Sequence, residues 1–154
     1  MKVALDTNIL AYAEGVNGTD NQGTALNFLR RLPQDLVVVP VQVLGELFSV
    51  LVRKAGRSRS DARSALLSWR DAYQLVETSP DTMMAAADLA TDHQLGIWDS
   101  VILSAASEAD CRLLLSEDLQ DGFTRGGVTV VNPFALVLNP LLDGMLLDEP
   151  HSPR

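Results

Sequence analysis

The sequence predicts an α/β domain, a mostly parallel sheet of four to five strands layered between helices in an α/β/α arrangement. Three observations lead there. Residues 2–5, 36–39, 112–115 and 127–131 are short apolar runs with little polar alternation, as strands covered on both faces would be. The stretches between them repeat apolar residues at three- and four-residue spacing, the mark of amphipathic helices, and strands that alternate with helices build parallel sheets. Finally, 154 residues with 47% apolar content and few aromatics can bury a core of Leu, Val and Ala. The single cysteine, Cys111, excludes an internal disulfide and reads as plain core.

Taken in order, the first strand runs out on Asp6-Thr7-Asn8, where Asp6 can cap a helix over residues 7–13. Residues 14–20, with two glycines and Asn17, form a loop. A helix over residues 21–32 turns Ala25, Phe28, Leu29 and Leu32 inward, and Pro33 ends it before the second strand. The helix over residues 41–54 carries Leu44, Leu47, Phe48 and Leu51 on one face; Glu46 projects from the other, in line with Gln42, Ser49 and Arg53. A turn at Ala55-Gly56-Arg57 leads to a helix over residues 60–74 capped by Ser60, then to a short strand at 75–78. Ser79-Pro80-Asp81 opens a helix that reaches His93 and is stopped by Gly96. A nearly all-apolar helix opens on Asp99 and feeds the buried strand at 112–115, which runs into Ser116-Glu117-Asp118. The last strand covers residues 127–131.

Beyond Phe134 the character changes. Apolar residues from Leu136 to Leu147 are interrupted by Pro140 and Gly144, which predicts a segment packed on the body or on a partner. The division is a domain over residues 1–134 and a tail over 135–154, disordered from 148 onward. No apolar run approaches membrane-spanning length and no secretory leader is visible, so the expectation is a cytoplasmic protein without membrane contact. The net charge of −8 argues against broad, nonspecific binding to polyanions. Its distribution says more: Arg53, Lys54, Arg57, Arg59, Arg63 and Arg70 are half of the 12 basic residues, and residues 71–121 are strongly acidic.

Four acids stand where parallel sheets gather their ligands, at the C-terminal edge of the strands. Asp6 and Asp118 follow strands, Asp99 opens a helix, and Glu46 lies on a facing helix. Singly, each has a bland explanation. Asp6 and Asp99 could be helix caps, Glu46 could simply face solvent, and Asp118 could be a turn residue. Together they would repel one another unless a cation lay between them. All-oxygen donors suit Mg²⁺ or Mn²⁺, and no Cys/His grouping competes for zinc. His93 and His151 are isolated, which gives histidine-based catalysis no support. Asp121 is a further carboxylate nearby and stands outside the set.

Val3-Ala4-Leu5-Asp6-Thr7-Asn8, Glu46 in its apolar helix, Trp98-Asp99-Ser100, Ser116-Glu117-Asp118 and the closing Val130-Val131-Asn132-Pro133-Phe134 resemble, in that order, the PIN-domain nucleases. Among these the chain most resembles the VapC-type toxins of bacterial toxin–antitoxin pairs, from Lys2 to about Phe134. The resemblance implies a PIN-like fold and a Mg²⁺- or Mn²⁺-dependent endoribonuclease with Asp6, Glu46, Asp99 and Asp118 as its catalytic acids. Asp6, Asp99 and Asp118 would hold the ion, with Glu46 reaching it directly or through water. Ser116 matches the hydroxyl residue that orients the last aspartate, and Thr7 and Asn8 match residues that support the first. The implied partners are an RNA substrate, a small antitoxin and a second copy of the chain. Arg53 follows Glu46 by seven residues, two helical turns, so the basic band of Arg53, Arg57 and Arg59 could hold RNA beside the acids. Cations that merely suit a helix C-terminus are the bland alternative for Arg53.

Three other readings stay open. A phosphoryl-transfer or receiver domain also places an aspartate after its first strand, but the only lysines are Lys2 and Lys54 and no phosphate-binding loop is present. A non-catalytic PIN-like scaffold that binds RNA or protein would be expected to lose an acid, and none of the four is missing. A plain interaction domain would carry them by coincidence.

Overall fold

A computed structural model describes residues 1–147, with helices on both faces of a six-stranded sheet. The strands are β1 (Lys2–Leu5), β2 (Val37–Pro40), β3 (Gln74–Val76), β4 (Cys111–Leu115), β5 (Thr124–Arg125) and β6 (Val128–Val131), in the order β3-β2-β1-β4-β6-β5. All pairs are parallel except β5–β6, an antiparallel hairpin. β5 takes the strand count past the expected four to five; it is two exposed residues long, too short for any alternation to announce. The central strands are buried on both faces, from Val3 and Leu5 on β1 to Leu113, Leu114 and Leu115 on β4. Continuous apolar runs are what such covered strands require. Cys111 is core as expected, and burial pushes its thiol up to about 11.

The helices are α1 (Thr7–Ala13), α2 (Thr19–Arg31), α3 (Val41–Arg53), α4 (Arg59–Ala72), α5 (Pro80–His93), α6 (Ile97–Glu108) and α7 (Pro140–Met145). Their ends differ from the sequence expectation where the cap was misplaced. α4 is capped by Ser58 rather than Ser60, the Ser58 hydroxyl accepting from the Asp61 N–H at 3.0 Å. α5 stops at Gln94, which takes a left-handed conformation at φ 55°, ahead of Gly96. Gly96 instead precedes α6, so Asp99 is the third residue of that helix and not its cap. α5 opens on a capping box, Ser79 with Thr82, behind Pro80. The buried Thr82 hydroxyl also donates to Glu108 and so ties α5 to α6.

The segment after Phe134 lies against the body. Leu142 on α7 is fully buried, and Leu147 is clasped to the end of α2, its N–H donating to the Arg31 carbonyl at 2.7 Å while Arg31 Nε donates back at 2.9 Å. The expected disordered end, residues 148–154, lies outside the described residues. Among the described residues no helix is long and apolar enough to cross a membrane.

For the site, the decisive pairing is β1 with β4, in register Leu5↔Leu115. It brings the next residue of each strand, Asp6 and Ser116, to the same edge: Asp6 N–H donates to Leu115 O at 2.9 Å and Ser116 N–H to Val131 O at 3.0 Å.

Candidate functional site

Asp6 caps α1, as expected, but that is only part of its environment. Its Oδ1 accepts from Thr7 N–H at 2.7 Å and its Oδ2 from the Ser116 hydroxyl at 2.6 Å, and it is 3% exposed. Its pKa is raised to about 6, chiefly by burial; the two hydrogen bonds work against the rise, and the charges of Asp99 and Glu46 add to it. A surface cap would show none of this.

The same cleft collects the other three acids. Asp6, Glu46, Asp99 and Asp118 all line an opening of about 480 Å³ between α3, α6 and the end of the sheet. Glu46 is held there by the Thr7 hydroxyl, which donates to its Oε2, so its place on the polar face of α3 leaves it facing the cleft rather than loose in solvent. Asp99, half-buried in the first turn of α6, has its pKa raised by burial and then by Asp118. Asp118 is exposed at the rim. Among the described residues no Lys, Arg or His lines this cleft.

The supporting residues are arranged differently from expectation. Ser116 orients the first aspartate, not the last: its hydroxyl donates to Asp6 and accepts from Leu119 N–H at 3.3 Å. Thr7 does support Asp6, through its backbone, and links it to Glu46 through its side chain. Asn8 makes no hydrogen bond to Asp6; both of its amide atoms are buried without a partner. Asp121 accepts from Asn132 N–H at 3.0 Å and serves the turn before the last strand. In the basic band, Arg57 is committed to the fold. Its guanidinium donates to Glu14 Oε2 at 2.9 Å and to the Glu14 carbonyl at 2.6 Å, while the Trp69 indole N–H takes Glu14 Oε1 at 2.9 Å. Arg53 and Arg59 are exposed. Gln42, Gly45, Ser49, Val50 and Trp98 also line the cleft and are not among the site residues that the sequence suggests. Trp98, 51% exposed beside Asp99, and Gly45, in mid-α3, stand on different walls of the cleft.

A hard divalent cation suits this donor set, four carboxylates with neither imidazole nor thiolate among them. The pKa values of Asp6 and Asp99 are raised first by burial and then by the neighbouring acids. The side chains as they stand form a lined cleft and not a tight cage: among the described residues, no three converge as a ready metal-ligand group.

Comparison with known proteins agrees with the architecture. Mycobacterium tuberculosis VapC20, a sarcin–ricin loop cleaving toxin, superposes with a TM-score of 0.65 at 20% identity, over 76% of this chain and 92% of that one. A toxin–antitoxin complex from Klebsiella pneumoniae gives 0.65 at 21% identity, covering 88% and 100%. VapBC2 from Rickettsia felis, bound to a DNA fragment from its promoter, gives 0.60 at 17%, covering 86% and 98%. At these identities the likeness is one of fold. No curated protein shows significant similarity in sequence. The PIN domain family model, however, matches residues 3–125, a span that contains all four cleft acids. The chain belongs to the PIN-domain family.

Proposed function

We propose that the chain is a Mg²⁺- or Mn²⁺-dependent endoribonuclease and the toxin of a type II toxin–antitoxin pair. The observation that carries this reading is the sharing of one cleft by Asp6, Glu46, Asp99 and Asp118, with Asp6 nearly inaccessible and its pKa raised by burial and by two of the others. Asp6, Asp99 and Asp118 would hold the ion, and Glu46 would reach it directly or through water. When bound, such an ion supplies Lewis-acid polarisation of the phosphodiester. The chain's own part is positioning. Thr7 and Ser116 fix both oxygens of Asp6, and Thr7 holds Glu46 in the cleft. Asp99 and Asp118 line the cleft beside them, where their carboxylates would complete the ion's ligands. No side-chain nucleophile is needed. Exposed Arg53 and Arg59 would hold flanking phosphates.

The toxin reading is supported by the fold shared with toxin–antitoxin complexes. A small antitoxin whose tail carries a basic side chain would suit the acidic cleft. A second copy of the chain would cover Leu136 and Val137, which the tail leaves exposed. The test is incubation of the purified protein with single-stranded RNA in Mg²⁺, Mn²⁺ or EDTA. Cleavage in the first two only, leaving 5′-phosphate and 3′-hydroxyl ends, is the expected result. The open arrangement of the acids favours one alternative, a non-catalytic PIN-like scaffold for RNA or protein. Under that reading Mn²⁺ would neither stabilise the protein thermally nor elicit cleavage.

A further inference from the structure

Two cleft residues have no evident role in building the fold. Gly45 lies inside α3, where a glycine destabilises the helix relative to alanine. Neither backbone nor packing requires it. Its φ is not positive, and a Cβ built there would meet nothing within 4 Å. Trp98, in the first turn of α6, leaves half of a large apolar surface in water, whereas Ser100 to Ala106 of the same helix are buried. The other tryptophan, Trp69, is by contrast stacked on Tyr73 and hydrogen-bonded to Glu14.

Both residues line the cleft that holds the four acids. We infer that Trp98 and Gly45 form a slot for one nucleobase of single-stranded RNA next to the phosphate to be cleaved, the base stacking on the indole and passing over the bare backbone of α3. The inference rests on the ribonuclease reading and adds its substrate class: a base splayed out of a strand, not one paired in a duplex. Stacking on an aromatic ring accepts any base face and needs no charge, which suits a cleft walled by carboxylates. The absent side chain at position 45 then has a use. It keeps open the space that a flat ring must enter.

The test reads tryptophan fluorescence of the full chain titrated with adenosine, cytidine or uridine, with ribose as the base-free control. These probes are neutral, so their binding does not depend on a cation. Quenching by the nucleosides and not by ribose is expected, with loss of the signal in Trp98→Phe. Gly45→Leu should weaken nucleoside binding roughly tenfold while its melting temperature stays level or rises, which separates slot from scaffold. For single-stranded RNA, Trp98→Ala should raise KM by about tenfold with kcat little changed, as expected for a contact made equally in ground and transition states. Equal quenching by ribose, or wild-type nucleoside affinity in Gly45→Leu, overturns the slot. A protein that cleaves RNA but shows no base-dependent quenching loses the slot and keeps the ribonuclease reading. One that shows the quenching but cleaves no RNA does the reverse. Unchanged RNA kinetics in both variants, with weakened antitoxin binding, would assign the surface to the protein partner and overturn the inference.

Discussion

The Ser116 hydroxyl donates to Oδ2 of Asp6 at 2.6 Å, joining residues 110 positions apart across the paired ends of β1 and β4. Both side chains are buried, so the bond has no water to replace it. Ser116→Ala should cost roughly 1–3 kcal/mol, the usual penalty for a buried acceptor left alone. Urea unfolding measures that loss. The same variant should bind Mn²⁺ more weakly, because an Asp6 without this donor is harder to ionise.

Asp6 also sets a pH dependence in metal-free protein. Its pKa rises from 3.8 in the unfolded chain to about 6 in the fold, so the native state holds this proton more tightly. The stability it contributes is fully present below about pH 4 and is lost as pH rises through about 6. The linked change is on the order of 3 kcal/mol. In EDTA, Asp6→Asn should flatten the melting profile between these values and be the more stable protein at pH 7. An unchanged profile would mean that Asp6 is not the titrating group.

Asp99→Asn should lower RNA cleavage by roughly two orders of magnitude or more, in line with the loss of a central electrostatic group. The fold should survive, and the metal-free variant should melt no lower than the parent, since a repulsion with Asp118 is removed. Cleavage at the parental rate would sink the four-acid assignment. EDTA should silence the parent in the same assay, and Mn²⁺ should restore it.

The arginines should divide into two groups. Arg53→Gln and Arg59→Gln should weaken RNA binding and reduce the slope of log affinity against log salt by roughly 0.7 for each phosphate no longer neutralised. Arg57→Gln should mainly destabilise, because it strips the partner from Glu14 and loosens Trp69. Denaturation and filter-binding measurements on the three variants would show the split.

Cutting the chain after residue 134 should expose the site that fully buried Leu142 now fills. A loss of about 2–5 kcal/mol is expected, the range for emptying a buried leucine position, together with lower solubility. A truncated protein as stable and soluble as the parent would show the tail to be dispensable.

Much of this architecture was legible in the sequence because parallel sheets are written as local signals. A strand covered on both faces is an apolar run, and Val3-Ala4-Leu5 and Leu113-Leu114-Leu115 are such runs. The acids were legible for a related reason, since each follows a strand or starts or faces a helix. Partnerships across the sheet were not. The family resemblance pairs Ser116 with Asp118, two residues away, whereas its bond goes to Asp6, and only the adjacency of β1 and β4 decides that. Arg57 looked like surface charge because nothing nearby in sequence announces Glu14 as its partner. Gly45 and Trp98 gave a signal, a glycine inside a helix and an indole at a helix start, but its meaning depended on the cleft between two helices.

The strand order also has a consequence in time. β1 leaves the ribosome first and can pair with β2 early, Val3 with Val37, but its other edge waits for Leu113 to Leu115. Until then a nascent chain carries Asp6 without Ser116 to hold it, and Asp118 has not been made. Such a long-range closure is slow as well as late. The acidic cleft therefore stays incomplete for most of the chain's own translation, by topology alone.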